Sequence, residues 1–164
     1  MAGMSRKPFI GVVGAGTSSP AVDTVAAEVG REIARHGAVL ICGGLGGVMT
    51  AAARGAKEAG GWTIGILPGP SIDQANDYID FPIATHMGQA RNAIIVQTAH
   101  VVISVAGGYG TLSEISMALK IGKPVVALLP RFSIPGVVAA QNPGEAVQKA
   151  IAHLRPPYSE TISI

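Results

Sequence analysis

The segment VVISVAGGYGTLSEISMALK, residues 101–120, places a glycine-rich turn between two regular patterns. Residues 101–105 form a β-branched run that predicts a buried strand, and the apolar spacing after Gly110 predicts a helix as far as Ile121. The turn between them contains three glycines and no bulky aliphatic side chain. A strand that passes through a tight turn into a helix is the repeating unit of parallel α/β proteins.

The same unit recurs along the chain. Strands are predicted at residues 9–13, 38–42, 63–67, 79–84, 101–105 and 124–129, and helices at residues 20–36, 48–59, 88–100, 110–121 and 143–154. Residues 71–80 are predicted to form a polar loop, and residues 155–164 a tail or an oligomer contact. The alternation predicts an α/β fold with an open, mostly parallel sheet and helices on both faces, in one domain over residues 1–164.

Composition excludes several classes of protein. The chain has 164 residues, of which 48% are hydrophobic and 13% are charged, and this apolar balance favours a homo-oligomer, either a dimer or a tetramer. No apolar run approaches the roughly 20 residues that span a bilayer, and the N-terminus does not resemble a secretory leader, so a cytoplasmic protein is expected. The chain has a net charge of +2, and its lysines and arginines are dispersed along the sequence, which argues against nucleic-acid binding. Cys42 is the only cysteine, so no intramolecular disulfide can form.

Three glycine clusters follow predicted strands. Because the carboxyl ends of parallel strands lie at one edge of a sheet, we expect these clusters to converge on a ligand site there. Glycines let the backbone approach an anion closely, and the first turn of the following helix offers free N–H groups and a positive dipole end. The predicted binding residues for a phosphate group are Gly14, Gly16, Thr17, Gly43, Gly44, Gly46, Gly47, Gly107, Gly108, Tyr109, Gly110 and Thr111.

Thr111 and Glu114 also allow a purely structural interpretation. Their spacing matches the S/T-x-x-E capping box, in which the two side chains satisfy the backbone N–H groups of a helix start. A capping box explains the threonine and the glutamate, but it does not explain the run of glycines before them. Both interpretations stay open from the sequence.

The motif AGGYGTLSE, residues 106–114, resembles the PGGxGTxxE signature of the LOG family, the cytokinin riboside 5′-monophosphate phosphoribohydrolases long mislabelled as lysine decarboxylases. GQARN, residues 88–92, falls where those enzymes carry a catalytic arginine, and GGLGGVM, residues 43–49, resembles their second glycine segment. Residues 5–16, 36–49, 55–70 and 118–128 resemble more closely a sister branch of short proteins that includes the molybdenum cofactor carrier protein. The resemblance implies a Rossmann-like fold, a homo-oligomer and a phosphate-bearing nucleotide or pterin as ligand.

Two functions follow from this resemblance. The first is binding of a phosphorylated nucleotide-like or pterin ligand, such as the molybdenum cofactor, without chemical change. The alternative is hydrolysis of the N-glycosidic bond of a nucleoside 5′-monophosphate, with Glu114 and Arg91 as catalytic residues and with no metal or cofactor required. Ala106 and Asn92 depart from the hydrolase pattern, which has proline and lysine there, and this favours the carrier. Lysine decarboxylation is not expected, because no lysine lies convincingly at a ligand-bearing strand end.

Overall fold

A computed structural model describes residues 6–162 of the chain. In this range the strands are β1 (Phe9–Gly14), β2 (Val39–Cys42), β3 (Thr63–Leu67), β4 (Phe81–Ala84), β5 (Val101–Val105), β6 (Val125–Leu128) and β7 (Val138–Ala139). The α-helices are α1 (Pro20–Arg35), α2 (Val48–Glu58), α3 (Asn92–Thr98), α4 (Tyr109–Lys120) and α5 (Pro143–Ala152). Short 3₁₀ turns lie at Ile72–Gln74, Gly88–Arg91 and Tyr158–Thr161.

The strands form one sheet in the order β4-β3-β2-β1-β5-β6-β7, and every neighbouring pair is parallel. The chain builds outward from β1 to β4 and then crosses back to place β5 on the other side of β1. The strand order therefore reverses between β1 and β5, where Gly14 is in register with Val105. In open α/β sheets this switch point opens the crevice in which ligands bind.

Helices cover both faces of the sheet, as predicted. One apolar cluster joins the sheet to α1, α2 and α5, and contains Ile10, Leu40, Ile103 and Val147. The other joins the opposite face to α3 and α4, and contains Ile41, Val102, Ile95 and Ile115. The α/β fold class is therefore confirmed, with a sheet that is parallel throughout the described residues.

Two glycines set the close approach of α1 and α2. A methyl group at Gly55 would lie 2.6 Å from the carbonyl carbon of Ala27, and one at Gly30 would lie 2.9 Å from the carbonyl carbon of Ala52. The helices therefore pack backbone against backbone. This closely packed helix pair lies against β1 and β2 in the same apolar cluster.

Two predictions about the elements were incomplete. The predicted helix at residues 88–100 is a 3₁₀ turn, Gly88–Arg91, that continues as α3. Strand β7 was missed, because its two residues at the sheet edge are too few for a periodic pattern. The loop at residues 71–80 is polar as predicted, and Asp80 anchors its end through an ion pair with Lys57 (2.8 Å) and a hydrogen bond accepted from the Thr63 amide (2.9 Å).

The predicted tail, residues 155–164, is described only as far as residue 162. Within that part the ring of Tyr158 lies 3.9 Å, centroid to centroid, from the ring of His100, so the segment folds back onto the domain. Trp62, Phe81 and Ile83 at the β4 edge are each about half exposed. Homo-oligomer formation stays a prediction. Across residues 6–162 no helix is both long enough and apolar enough to span a membrane.

Candidate functional site

A cleft of about 400 Å³ opens at the switch point of the sheet. One wall is the end of β1 and the turn after it, with Gly14 and Gly16, and the other is the first two turns of α4 with its N-cap, including Gly108 and Glu114. The beginning of α3 closes the cleft with Arg91, Asn92 and neighbouring Gln89, and Leu45 and Met49 add an apolar side. Glycines at the end of β1 and at the start of α4 line this cleft, whereas the turn after β2 contributes Leu45 and no glycine. That a ligand binds there stays a prediction.

Arg91 lies at the end of the 3₁₀ turn that precedes α3 and is only 7% exposed. Its Nε has no hydrogen-bond acceptor among the described residues. Burial lowers the pKa of Arg91, and the nearby charge of Glu114 opposes that shift. A buried guanidinium with an unused donor is a strong site for an anionic ligand, because an unsatisfied buried charge is costly.

Glu114 lies on the second turn of α4 and is also 7% exposed. Burial raises the pKa of its carboxyl group to about 7, with the charge of Arg91 opposing the shift. The two side chains share the cleft without forming an ion pair within 4.0 Å. Near neutral pH, Glu114 is therefore present in both protonated and ionised forms and can donate or accept a proton.

The structure contradicts the capping-box interpretation of Thr111 and Glu114. Helix α4 begins at Tyr109, its N-cap is Gly108, and no side chain caps it. Thr111 is therefore inside the first turn, where it is 5% exposed and packs against Gly107, which has a φ of 102°. The capping-box interpretation fails because α4 begins at Tyr109, one residue before the predicted start at Gly110, so Thr111 is the third helical residue and not the N-cap. The uncapped first turn leaves free N–H groups, which can donate hydrogen bonds to an anion in the cleft.

Asn92 is a site residue that sequence reasoning noted only as a departure from the hydrolase pattern. It is the first residue of α3, it is 6% exposed and it lines the cleft. Its Oδ1 has no hydrogen-bond donor among the described residues. Leu45, Met49 and Gln89 were also missed, because nothing in their local sequence indicates that they face a ligand site.

The remaining predicted binding residues lie around the cleft. Gly43 lies beneath Arg91. Gly44 has a φ of 73° and packs on β3, and its carbonyl oxygen accepts a hydrogen bond from the backbone N–H of Asn76 (2.9 Å). Thr17 and Gly47 line an adjoining cavity of about 370 Å³ that meets the cleft at Gly16. Five predicted binding residues line neither of these two cavities: Gly43, Gly44, Gly46, Gly107 and Tyr109.

Tyr109 lies at the rim. It is 79% exposed, and its ring is 5.9 Å from that of Phe132. The ligand-binding roles of these surrounding residues stay predictions, as do the roles of those that line the cleft.

Gly43 acts on the site through Arg91, and this gives a testable prediction. A methyl group at position 43 would lie 2.6 Å from Sδ of Met49, a flexible side chain that can move away, and 2.8 Å from Cζ of Arg91, so Gly43→Ala should displace the guanidinium. We expect the affinity for a phosphate-bearing ligand to fall about tenfold, measured by calorimetry, because a charge-assisted hydrogen bond is misaligned.

Gly144→Ala is the matched control for Gly43→Ala, since a methyl group there meets only Asn142 Oδ1, at 3.5 Å. In an Arg91→Ala background, Gly43→Ala should cause no further loss of affinity. An equal tenfold loss in that background would contradict the role assigned to Gly43.

The described residues contain no cluster of metal-binding side chains. Across residues 6–162 no three His, Cys, Asp or Glu side chains lie close enough to hold a metal ion together. Cys42 is fully buried below the cleft, and burial raises the pKa of its thiol to about 11. The thiol is therefore neutral at physiological pH and unsuited to nucleophilic chemistry.

Comparison with known proteins finds similar sequences and similar solved structures. An uncharacterized protein of Archaeoglobus fulgidus is 51% identical over 143 residues, which cover 87% of this chain and 94% of that protein. The solved structure of the molybdenum cofactor binding protein from Rippkaea orientalis superposes with a TM-score of 0.85 at 40% identity, covering 90% of this chain and 97% of the other. The cytokinin riboside 5′-monophosphate phosphoribohydrolase of Mycobacterium tuberculosis is 35% identical over 128 residues, 72% of this chain and 68% of the enzyme.

The model of the SLOG cluster4 family matches residues 7–155, which is nearly the whole described chain. The protein therefore belongs to the SLOG cluster4 family.

Proposed function

We propose that this protein binds a phosphate-bearing nucleotide-like or pterin ligand in the cleft between β1 and β5 and holds it without chemical change. The observation that carries the proposal is the buried guanidinium of Arg91, whose Nε has no acceptor among the described residues. Facing it across the cleft is the uncapped start of α4. A phosphate group would accept hydrogen bonds from both and would neutralise the buried charge.

The size and lining of the cleft fit such a ligand. Its volume of about 400 Å³ lies in the range for small-molecule sites, roughly 300–1,000 Å³. Gly14, Gly16, Gly108 and Gly110 leave backbone rather than side chains along the walls. The similarity to a molybdenum cofactor binding protein supports a pterin phosphate as the ligand, and in that case Arg91 and the α4 start would hold its phosphate.

A second candidate function is hydrolysis of nucleoside 5′-monophosphates. Glu114 favours it, because a carboxyl group with a pKa of about 7 can exchange protons at neutral pH. In such a reaction the ionised Glu114 would stabilise positive charge that develops on the ribose and would orient the attacking water, by analogy with glycosidase carboxylates. The similarity to a phosphoribohydrolase supports this alternative.

One experiment tests the proposal and separates it from the alternative. Purified protein is incubated with AMP, other nucleoside monophosphates or a pterin phosphate, free base is followed by chromatography, and binding is measured by calorimetry on the same samples. Binding without release of base is the expected result. Release that depends on Glu114 would establish the hydrolase instead, and absence of binding for nucleotides and pterin phosphates alike would refute the proposed site.

The pKa of Glu114 predicts how the stability of the protein depends on pH. Folding raises this pKa from its ordinary value of 4.5 to about 7, so the protonated form is favoured in the folded state. Its stabilising effect is fully present below about pH 4.5 and is lost as the pH rises through about 7. The shift corresponds to about 3 kcal/mol of unfolding free energy.

Glu114→Gln provides the comparison, because its amide does not titrate. We expect the unfolding free energy of the variant, relative to that of the wild type, to increase by about 3 kcal/mol between pH 4.5 and pH 8. Urea denaturation at several pH values measures the difference, and other titrating groups cancel between the two proteins. A difference that does not change with pH would contradict the burial of an ionisable Glu114.

A further inference from the structure

Arg131 lies on the loop between β6 and β7, at the rim of the cleft. Its side chain is exposed, and its Nη1 lies 4.0 Å from the position that a β-carbon would occupy at Gly108. Gly108 and Thr111 line both the cleft and a smaller hollow to which Arg131 contributes. The guanidinium of Arg131 therefore lies beside the uncapped start of α4, a placement that no motif in the sequence predicted.

The surroundings of Arg131 do not balance its charge. Within residues 6–162 its side chain forms no ion pair and no hydrogen bond, and its Cζ lies 5.8 Å from the centroid of the Phe132 ring. The start of a helix carries a partial positive charge, so a second cation beside it is unfavourable in the unliganded protein. The buried guanidinium of Arg91 faces the same cleft, where Glu114 is the only acidic side chain that the described residues contribute. An anion bound among these positive groups would supply the missing negative charge.

We infer that Arg131 is a further phosphate-binding residue, which donates hydrogen bonds to the solvent-facing oxygens of a phosphate group held at the start of α4. The inference rests on the proposed function, because it needs an anion in the space beside Gly108. Rotation of the exposed side chain across the 4.0 Å gap brings Nη1 to an oxygen in that space, at the roughly 2.7–2.9 Å of a charge-assisted hydrogen bond. Arg91 holds the phosphate from inside the cleft, and Arg131 holds it from the rim.

The test compares Arg131→Gln, Arg131→Lys and Arg155→Gln with the wild type. Arg155 is the matched control, because it is also exposed but lines a cavity at the opposite edge of the sheet, beside the residues that precede β5 and β6. Calorimetry gives the affinities for AMP, for a pterin phosphate and, by competition, for inorganic phosphate, at low and at high NaCl concentration. Inorganic phosphate separates a contact with the phosphate group from stacking of the guanidinium on a ring of the ligand. The melting temperature of each unliganded protein is measured in parallel.

We expect Arg131→Gln to weaken the binding of every phosphate-bearing ligand of the wild type, inorganic phosphate included, by about tenfold, because a charge-assisted hydrogen bond is lost. Arg131→Lys should lose only about threefold, since an ammonium group keeps the charge without the planar fork. The loss in Arg131→Gln should shrink at high NaCl concentration, because salt screens an exposed charge. Arg155→Gln should bind like the wild type, and each unliganded variant should melt within about 2 °C of the wild type.

Several outcomes would overturn the inference while leaving the proposed function intact. Unchanged affinities in Arg131→Gln, or an equal loss in Arg155→Gln, would show that Arg131 does not bind the phosphate. A loss that is equal in Arg131→Lys and does not respond to salt, or a large fall in melting temperature, would show that Arg131 supports the loop. A loss confined to AMP or the pterin phosphate would show stacking on the ring instead. Failure of the wild type to bind any of the three ligands would refute the proposed function, and the inference with it.

Discussion

Gly108→Val is expected to lower the affinity for a phosphate-bearing ligand by more than about 100-fold while leaving the protein folded. Gly108 is the N-cap of α4 and lines the cleft. A branched side chain at this position would occupy the space in which an anion reaches the N–H groups of the first helical turn. Calorimetry with AMP or a pterin phosphate measures the loss.

The fold should tolerate this substitution. The φ of Gly108 is −116°, outside the left-handed region that favours glycine, and a Cβ there meets only Arg131 Nη1, at 4.0 Å. Gly16→Val is the matched comparison, because Gly16 lines the opposite wall and a Cβ there has no neighbour within 4 Å. If the phosphate lies at the start of α4, Gly108→Val has much the larger effect. Equal effects of the two variants, or unchanged affinity in a folded Gly108→Val protein, would contradict that placement.

The fold could be predicted from local patterns because nearly every strand is buried on both faces. The run at residues 101–105 is fully buried in β5, so its β-branched side chains show no alternation and are easily recognised. Strand β4 carried a weaker signal, since three of its four residues are exposed at the sheet edge. The short β7 had no pattern at all and depends on its pairing with β6. Strand order was not predicted, because it depends on contacts between distant segments.

Residues of the site that follow strands could be predicted from the sequence, whereas the contacts between distant segments could not. Gly14, Gly108 and Glu114 follow strands whose carboxyl ends must meet at one edge, so their convergence could be expected. Arg91 was identified through family resemblance, and its burial with an unused donor became visible only in three dimensions. The ligand contact of Gly43 stays a prediction; what only the structure shows is that Gly43 lies beneath Arg91, a contact between segments 48 residues apart in the chain. Sequence patterns show which turns can bind an anion, but they do not show which glycines serve packing instead.

Glu114→Gln is expected to separate the two candidate functions. In a carrier, the neutral amide removes a negative charge from an anion-binding cleft, so the affinity for AMP should be equal to that of the wild type or higher. In a hydrolase, the same variant loses the group that stabilises charge on the ribose and orients water, and release of base should fall about 10²–10⁴-fold. Binding and release of base are measured on the same samples at pH 7.

Two further properties make the Glu114→Gln result decisive. The amide has the shape of the carboxyl group, and no hydrogen bond or ion pair of Glu114 with a described residue is lost, so the cleft should keep its geometry. Glu58→Gln is the control, because it makes the same chemical change on the exposed surface of α2. It should alter neither AMP binding nor release of base. Undiminished release of base by Glu114→Gln would exclude catalysis by this carboxylate. A large loss of AMP affinity would show instead that Glu114 accepts a hydrogen bond from the bound ligand, and the carrier site would then require the ionised form.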